Sequence, residues 1–360
     1  MEIRSVEMGQ QDRLAELHPE LVADRPDLLT PALLNNPEPV ESDFPYLFYA
    51  LDGAKVVGHF MSFPDTLYAD GAPRKWAWNL GLFTDPEYRG RGIARKIVEL
   101  QLAEFGRRDM IWGGVFSSHA AIRLYERMGF GFPGFAQRLC LMRNARPFLR
   151  AHVSNALAVA AGGLAANTLL AAHRLLKRGV RSFGGYRVQP IDREEFSALV
   201  NASAVHPEAF YWGTDARWFT ARSAENDVFC KVMRAGETNP CAFMIVRDRL
   251  VKDRSLSGRY SNFKMLSVEE FGQFEEAPDI AQALISGLLA LFRDSDADIA
   301  EFVTSSPAIQ ASARRAGFVP FGAGMSFKFM APPGHPLSDR ALASANWHMT
   351  HYCGDGFGFE

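Results

Sequence analysis

The strongest constraint on this chain's fold is that it repeats itself. The stretch S-S-H-A-A-I-R-L-Y-E-R-M-G-F-G-F-P-G, ending at Gly134, recurs as S-S-P-A-I-Q-A-S-A-R-R-A-G-F-V-P-F-G, ending at Gly322. Gly317 stands 188 positions after Gly129, and the same offset carries Ser117 onto Ser305, Ala120 onto Ala308 and Phe130 onto Phe318. The starts correspond too, because M-E-I-R-S-V-E at Met1 resembles Y-R-V-Q-P-I-D at Tyr186. Such a chain folds as a tandem pair of like units, and 360 residues at 48% hydrophobic content supply two cores. The expected division is a first domain at 1–145, a helical linker at 146–184, a second domain at 185–332 and a tail at 333–360.

A formal net charge of -2 argues against a mainly nucleic-acid-binding protein. Cys140, Cys230, Cys241 and Cys353 lie far apart without metal-type pairing, which suits reduced thiols. The start M-E-I-R-S-V lacks the charged and apolar pattern of a signal peptide, so a cytoplasmic protein is expected.

The run Y-R-G-R-G-I-A, Tyr88 to Ala94, sits between an apolar stretch, Trp76 to Phe83, and a helical pattern. Gly90 and Gly92 let the backbone approach an anion, and the helix that follows points unpaired N–H groups and its positive dipole end at the same spot. Arg89, Arg91 and Arg95 add positive charge. No Lys-Ser or Lys-Thr follows Gly92, so this is not a P-loop. The third small residue of a dinucleotide fingerprint is replaced by Arg95, which disfavours that ligand as well.

The pattern that fits is [QR]-x-x-G-x-[GA], matched by Arg89, Gly92 and Ala94, and it resembles the signature of the GNAT superfamily of N-acetyltransferases. T-D-P-E-Y at Thr84 to Tyr88 resembles the family's lead from its fourth strand, and A-A-I-R-L-Y-E-R-M-G-F at Ala120 to Phe130 resembles its following helix and strand. The likeness covers roughly residues 1 to 145. It implies an α/β (α+β) fold in which each unit is a twisted mixed sheet flanked by helices, and acetyl-CoA as co-substrate with no metal.

By the same resemblance, backbone groups of a bulge in the fourth strand, at Leu82, Phe83 and Thr84, hold the thioester carbonyl and the pantetheine arm. Backbone groups of Arg89, Gly90, Arg91, Gly92, Ile93, Ala94 and Arg95 hold the diphosphate. Tyr125 matches the family's general acid; the alternative is a core aromatic, since it shares a helix face with Ala121, Leu124 and Met128. Ser118 stands where the family often has Asn, seven residues before the tyrosine, and reaches the arm through water. No general base announces itself among His59, Asp65 and Asp70, and Asn79 is no base. The acidic stretch Glu38 to Asp43 reads as a solvated loop or as a recruiter of a cationic amine. Trp76 and Trp78 alternate on one strand face and either wall an acceptor pocket or fill core.

The second copy has Ala313 at the position of Tyr125, and Glu275, Glu276 and Asp279 where a diphosphate would sit. It is expected to bind no coenzyme A and to complete the acceptor pocket or a homodimer surface. Its segment Tyr211 to Arg222 loosely resembles C-terminal halves of GNAT-like proteins associated with polysaccharide biosynthesis. Ala156 to Ala172 is small and apolar but short of a membrane span and interrupted by Gly162-Gly163, so one buried linker helix or a pair is expected, with no integral membrane segment. The flanking Arg150, Arg174, Lys177 and Arg178 keep a membrane-surface role open. His348, His351, Cys353 and Asp355 near the terminus lack the paired spacing of a zinc site, and aromatic packing of the tail is the expectation.

The resulting reading is an acetyl-CoA-dependent N-acetyltransferase acting on a primary amine of a small molecule, amino sugar or peptide. Its rivals are a catalytically idle acyl-CoA-binding scaffold and a Fem-type aminoacyl transferase, also a tandem of GNAT-like folds, whose donor would be a charged tRNA.

Overall fold

The computed structural model describes residues 1–10, 16, 19, 41–116, 118–150, 156–177, 185–203, 208, 210–213, 215–251, 263–321, 325–331, 339–343, 346–350, 352 and 353. Strands β1 (Glu2–Glu7), β2 (Pro45–Asp52), β3 (Lys55–Ala69) and β4 (Ala72–Thr84) form an antiparallel meander. The run P-Y-L-F-Y-A-L in β2 is buried throughout, as an apolar strand covered on both faces must be. Helix α1 (Ile93–Arg107) crosses to β5 (Ile111–Phe116), parallel to β4, and turns Ile93, Ile97, Val98, Gln101 and Phe105 inward at helical spacing. Helix α2 (His119–Arg127) leads to β6 (Gly131–Met142).

A linker of α3 (Arg146–Arg150) and α4 (Ala156–Lys177) follows. The second half runs β7 (Tyr186–Ile191), α5 (Arg193–Ser203), β8 (Phe210–Trp212), α6 (Ala216–Arg222), β9 (Asp227–Arg234), β10 (Pro240–Val251) and β11 (Phe263–Gln273). It closes with α7 (Ile280–Asp294), β12 (Ile299–Thr304), α8 (Pro307–Arg315), β13 (Val319–Pro320) and β14 (Met325–Met330). The sequence repeat reappears as structure. β11 pairs in parallel with β12 as β4 does with β5, and Ser306 caps the start of α8 as Ser118 caps α2. Each of those helices ends on the same turn, with Phe130 N donating to Tyr125 O and Phe318 N to Ala313 O, both at 3.0 Å.

The two halves exchange strands. The ladder runs β1-β2-β3-β4-β5-β14-β6-β12-β11-β10-β9-β7, so β14, the last of the described strands, lies between β5 and β6 of the first half. β6 meets β14 along Gly131–Ala136 and β12 along Gln137–Met142. At about 3.3 Å per residue it is long enough to serve both sheets.

A clasp of aromatic and charged side chains joins the halves. Trp76 and Trp78 are fully buried, and they meet Trp212 at ring-centroid distances of 5.3 and 4.6 Å, with Phe327 and Trp347 around them. Of the two roles weighed for these tryptophans, the structure has them fill core. Asp65 on β3 accepts from Trp78 Nε1 (2.8 Å), Trp218 Nε1 (3.1 Å) and Arg222 Nη2 (2.7 Å), the last two on α6. Its carboxylate is spent as a clasp. Asp65→Ala removes the charge that neutralises buried Arg222 and is expected to cost about 3–5 kcal/mol, read as a lower urea midpoint.

The linker departs from expectation. α4 runs unbroken through Gly162-Gly163 for 22 residues, and of its described side chains, at 157–170, only Val159 and Gly163 are buried. Among the described residues no helix is long and apolar enough to cross a membrane.

Candidate active site

The ladder between β4 and β5 covers only three residue pairs, Trp76–Ile111, Ala77–Trp112 and Trp78–Gly113. At the next residue the strands part. Asn79 Nδ2 donates to Gly113 O at 2.7 Å, so a side chain closes the root of the fork where the backbone ladder ends. Asn79 is itself held from below. Ser62 Oγ donates to Asn79 Oδ1 (3.4 Å), Gln101 Nε2 to Ser62 Oγ (2.5 Å), and Trp112 Nε1 to Gln101 Oε1 (3.1 Å), a buried polar chain that ties β3, β4, β5 and α1 together. Sequence reasoning missed this chain, whose one visible signal is a polar Asn and a polar Gln in otherwise apolar runs.

Opposite Phe60 the β3–β4 register slips, and Gly81 and Leu82 together face one residue. Gly81 takes φ 60°, the left-handed value that such bulges ask of glycine. The expected bulge at Leu82, Phe83 and Thr84 thus begins one residue earlier, at Gly81. Phe83 stands half exposed with its ring 5.3 Å from that of His59, which is buried. Asp70 sits in the turn at the far end of the β3–β4 hairpin.

Beyond Thr84 the chain makes a tight turn built to face outward. Asp85 caps it by accepting from Glu87 N (2.9 Å) and pairs with Lys55 (2.8 Å). Arg89 Nε donates to Thr84 O (3.3 Å) and Arg91 Nη2 to Glu87 O (3.2 Å), so these side chains brace the loop from behind. Arg95 pairs with Glu99 (2.7 Å). Gly90 and Gly92 have φ of 79° and 76°, and no protein atom lies within 4 Å of where a Cβ would stand on either. Gly92 caps α1 with no side chain to accept from the first turn, which leaves the N–H groups of Ile93, Ala94 and Arg95 facing an open cradle. A fork opening beside a cradle that a Cβ would fill is a fit for a long thiol cofactor carrying a diphosphate.

Tyr125 is fully buried, its ring 5.4 Å from Trp112 and 4.9 Å from Phe130. Burial pushes its hydroxyl well above the usual tyrosine range. Ser118 is exposed at the start of α2. Glu41 and Asp43 lie beside Arg108 at 3.7 and 3.4 Å, an ion-paired loop edge, while residues 38–40 lie outside the described residues. A cavity of about 310 Å³ lined by Phe44, Arg74, Lys75 and Arg108 opens at the other end of β4 from the glycine turn.

The same fork exists in the second half, and the chain's own tail fills it. β11 and β12 pair from Met265–Ile299 to Val268–Phe302, and Glu269 is the bulged residue beyond. Glu269 and Glu270 stand 188 positions after Gly81 and Leu82. Tyr352 N donates to Glu269 O (3.2 Å), His348 Nε2 lies 2.9 Å from Glu270 Oε1, and Thr350 Oγ1 donates to Glu270 Oε2 (2.7 Å). On the other wall Met349 N donates to Ser305 Oγ (3.1 Å), which in turn donates to Trp347 O. Burial pulls the His348 pKa down, but Glu270 and Glu208 outweigh it and raise it to about 10, so the plug is charge-paired at neutral pH. His351 and Asp355 lie outside the described residues. At the start of α7, Arg234 bonds Asp279 and lowers its pKa to about 2, and it also pairs with Glu275. The carboxylates expected to repel a diphosphate are therefore partly neutralised, and the tail is the larger obstacle.

The sequence model of the Acetyltransferase (GNAT) family matches residues 12–130. That segment is a GNAT-family domain. No curated protein matches the chain. Among solved structures, a GCN5-related N-acetyltransferase from Anabaena variabilis is similar at 12% identity and TM-score 0.54, over 92% of this chain and 73% of that one. An Enterococcus faecalis protein described as a probable N-acyltransferase is similar at 10% identity and TM-score 0.54, over 92% and 72%. Saccharomyces cerevisiae N-myristoyltransferase with bound myristoyl-CoA is similar at 10% identity and TM-score 0.52, over 92% and 83%. At these identities the likeness is one of fold, and it spans both halves of the GNAT-like tandem.

Proposed function

We propose that the first half is an acetyl-CoA-dependent N-acetyltransferase that acts on a primary amine, and that the second half is a partner without a coenzyme A site of its own. The observation that carries this is the contrast between the two forks. One opens beside a glycine cradle; the other is bonded shut by the tail. Coenzyme A, when bound, supplies the activated thioester. Backbone groups from Gly81 to Thr84 and from Arg89 to Arg95 are the residues that would hold it, and Asn79 sets the width of the fork. Tyr125 carries a proton on Oη at neutral pH and is the candidate donor to a departing thiolate by its position; burial disfavours its anion, which makes it a weaker acid until the thiolate forms beside it.

Titration of the full chain with acetyl-CoA is expected to saturate at one equivalent, with thiol released when primary amines are supplied. Saturation at two equivalents would show that the second fork opens. No binding at all would favour a Fem-type donor, and binding without thiol release across a wide amine panel would favour an idle scaffold.

A further inference from the structure

We propose that a closed ring of buried hydrogen bonds at the root of the first fork is a stop for the acyl group, held in place by Gln101 as its positioning residue; this rests on the coenzyme A site proposed above. The ring starts and ends on neighbouring residues of β5. Trp112 Nε1 donates to Gln101 Oε1 (3.1 Å), Gln101 Nε2 to Ser62 Oγ (2.5 Å), Ser62 Oγ to Asn79 Oδ1 (3.4 Å) and Asn79 Nδ2 to Gly113 O (2.7 Å). An indole N–H can only donate and a backbone carbonyl can only accept, so the two ends fix the direction of every bond between them. Trp112, Gln101, Ser62 and Asn79 are each no more than 2% exposed, and Gln101 is the polar member of an inward stripe that is otherwise Ile93, Ile97, Val98 and Phe105. An apolar side chain there would fill the space without desolvating an amide. What the amide adds is a fixed position for Asn79 across the gap.

That position matters because the fork is entered from the cradle side. The ladder of β4 and β5 ends at Trp78–Gly113, and the glycine turn follows Thr84, so an arm anchored at the turn by its diphosphate has its acyl end toward Asn79. Five residues of strand separate Asn79 from Thr84, about 16 Å at 3.3 Å per residue. Past Asn79 both faces of the sheet are filled. On one, the Trp76 ring occupies the space that a Cβ on Gly113 would need; on the other, Gln101 and Trp112 are bonded to each other. To go deeper, an acyl chain must push Asn79 off Gly113 O and leave both groups buried and unpaired. Acetyl stops above that bridge, and long chains do not fit there.

The test is calorimetry of the full chain with free coenzyme A, acetyl-CoA and octanoyl-CoA, followed by thiol release with an accepted amine. The native chain is expected to favour acetyl-CoA over octanoyl-CoA by about tenfold or more, in affinity and in kcat/KM. Gln101→Leu removes the support of Asn79 while keeping a side chain in the stripe, and Ser62→Ala opens the ring by deleting one hydroxyl. Each should narrow the preference to roughly threefold or less. Free coenzyme A has no acyl group and should bind both variants as it binds the native chain, which is the control for fold. A ring that merely holds the sheet together gives a lower Tm with an unchanged acetyl-to-octanoyl ratio, and that result overturns the proposal. So does a native chain that takes both thioesters alike, whatever the variants do. Selection by acyl length without thiol release would leave the stop standing and remove the transferase reading, whereas binding of no form of coenzyme A would remove both.

Discussion

Gly92→Val is expected to abolish acetyl-CoA binding, with an affinity loss of at least about 100-fold, equivalent to ~2.7 kcal/mol. Two effects combine. A valine at φ 76° is strained, at roughly 1–2 kcal/mol for a left-handed residue, and it tilts the first turn of α1 out of its cradle geometry. The new side chain also stands in the space through which an anion would reach the N–H groups of Ile93, Ala94 and Arg95. No protein atom lies within 4 Å of that Cβ position, so the loss does not come from disturbed packing. Calorimetry should register the lost affinity while circular dichroism shows the same fold with a modestly lower Tm. Unchanged affinity would remove the diphosphate from this turn.

Tyr125→Phe is expected to lower turnover by about 100- to 10,000-fold, the usual contribution of a general acid, with little change in acetyl-CoA affinity. The substitution keeps the ring between Trp112 and Phe130, so stability should move by no more than about 1 kcal/mol. A raised pKa means that the hydroxyl stays protonated below and through the ordinary tyrosine value of 10. Loss of kcat from its ionisation should therefore appear only on the alkaline side of that value in the native enzyme. Equal turnover in the variant would return Tyr125 to the core as a packing residue.

Much of the candidate site's geometry was legible because it is local. The cradle is written in consecutive residues, Arg89 to Arg95, and a glycine at φ 76° followed by an amphipathic helix follows from side-chain sterics and from the spacing of Ile93, Ile97 and Phe105. The same holds for the repeat. An offset of 188 that superposes Gly129 on Gly317 also superposes the helix ends that those glycines terminate. Asp65, Trp76 and Trp78 were visible as chemistry-bearing residues, yet their role was not, because the partners that occupy them, Trp212, Trp218 and Arg222, come from more than a hundred positions further on.

By itself, then, the sequence determined the fold class, the tandem of like units and the place of the glycine turn proposed to hold the cofactor, all of which depend on patterns within a few tens of residues or on self-similarity. Tertiary structure alone decided three things. β14 leaves its own half to lie between β5 and β6, a choice set by long-range strand pairing that no local propensity encodes. Residues of the tail fill the second fork, because Glu269, Glu270 and Ser305 are brought to face Trp347, His348, Thr350 and Tyr352 only once the sheet is closed. And the described part of α4 stays largely exposed rather than buried: Val159 and Gly163 are buried and Asn167 bonds the Asn144–Ala145 corner, while Leu164 and Leu169 face outward.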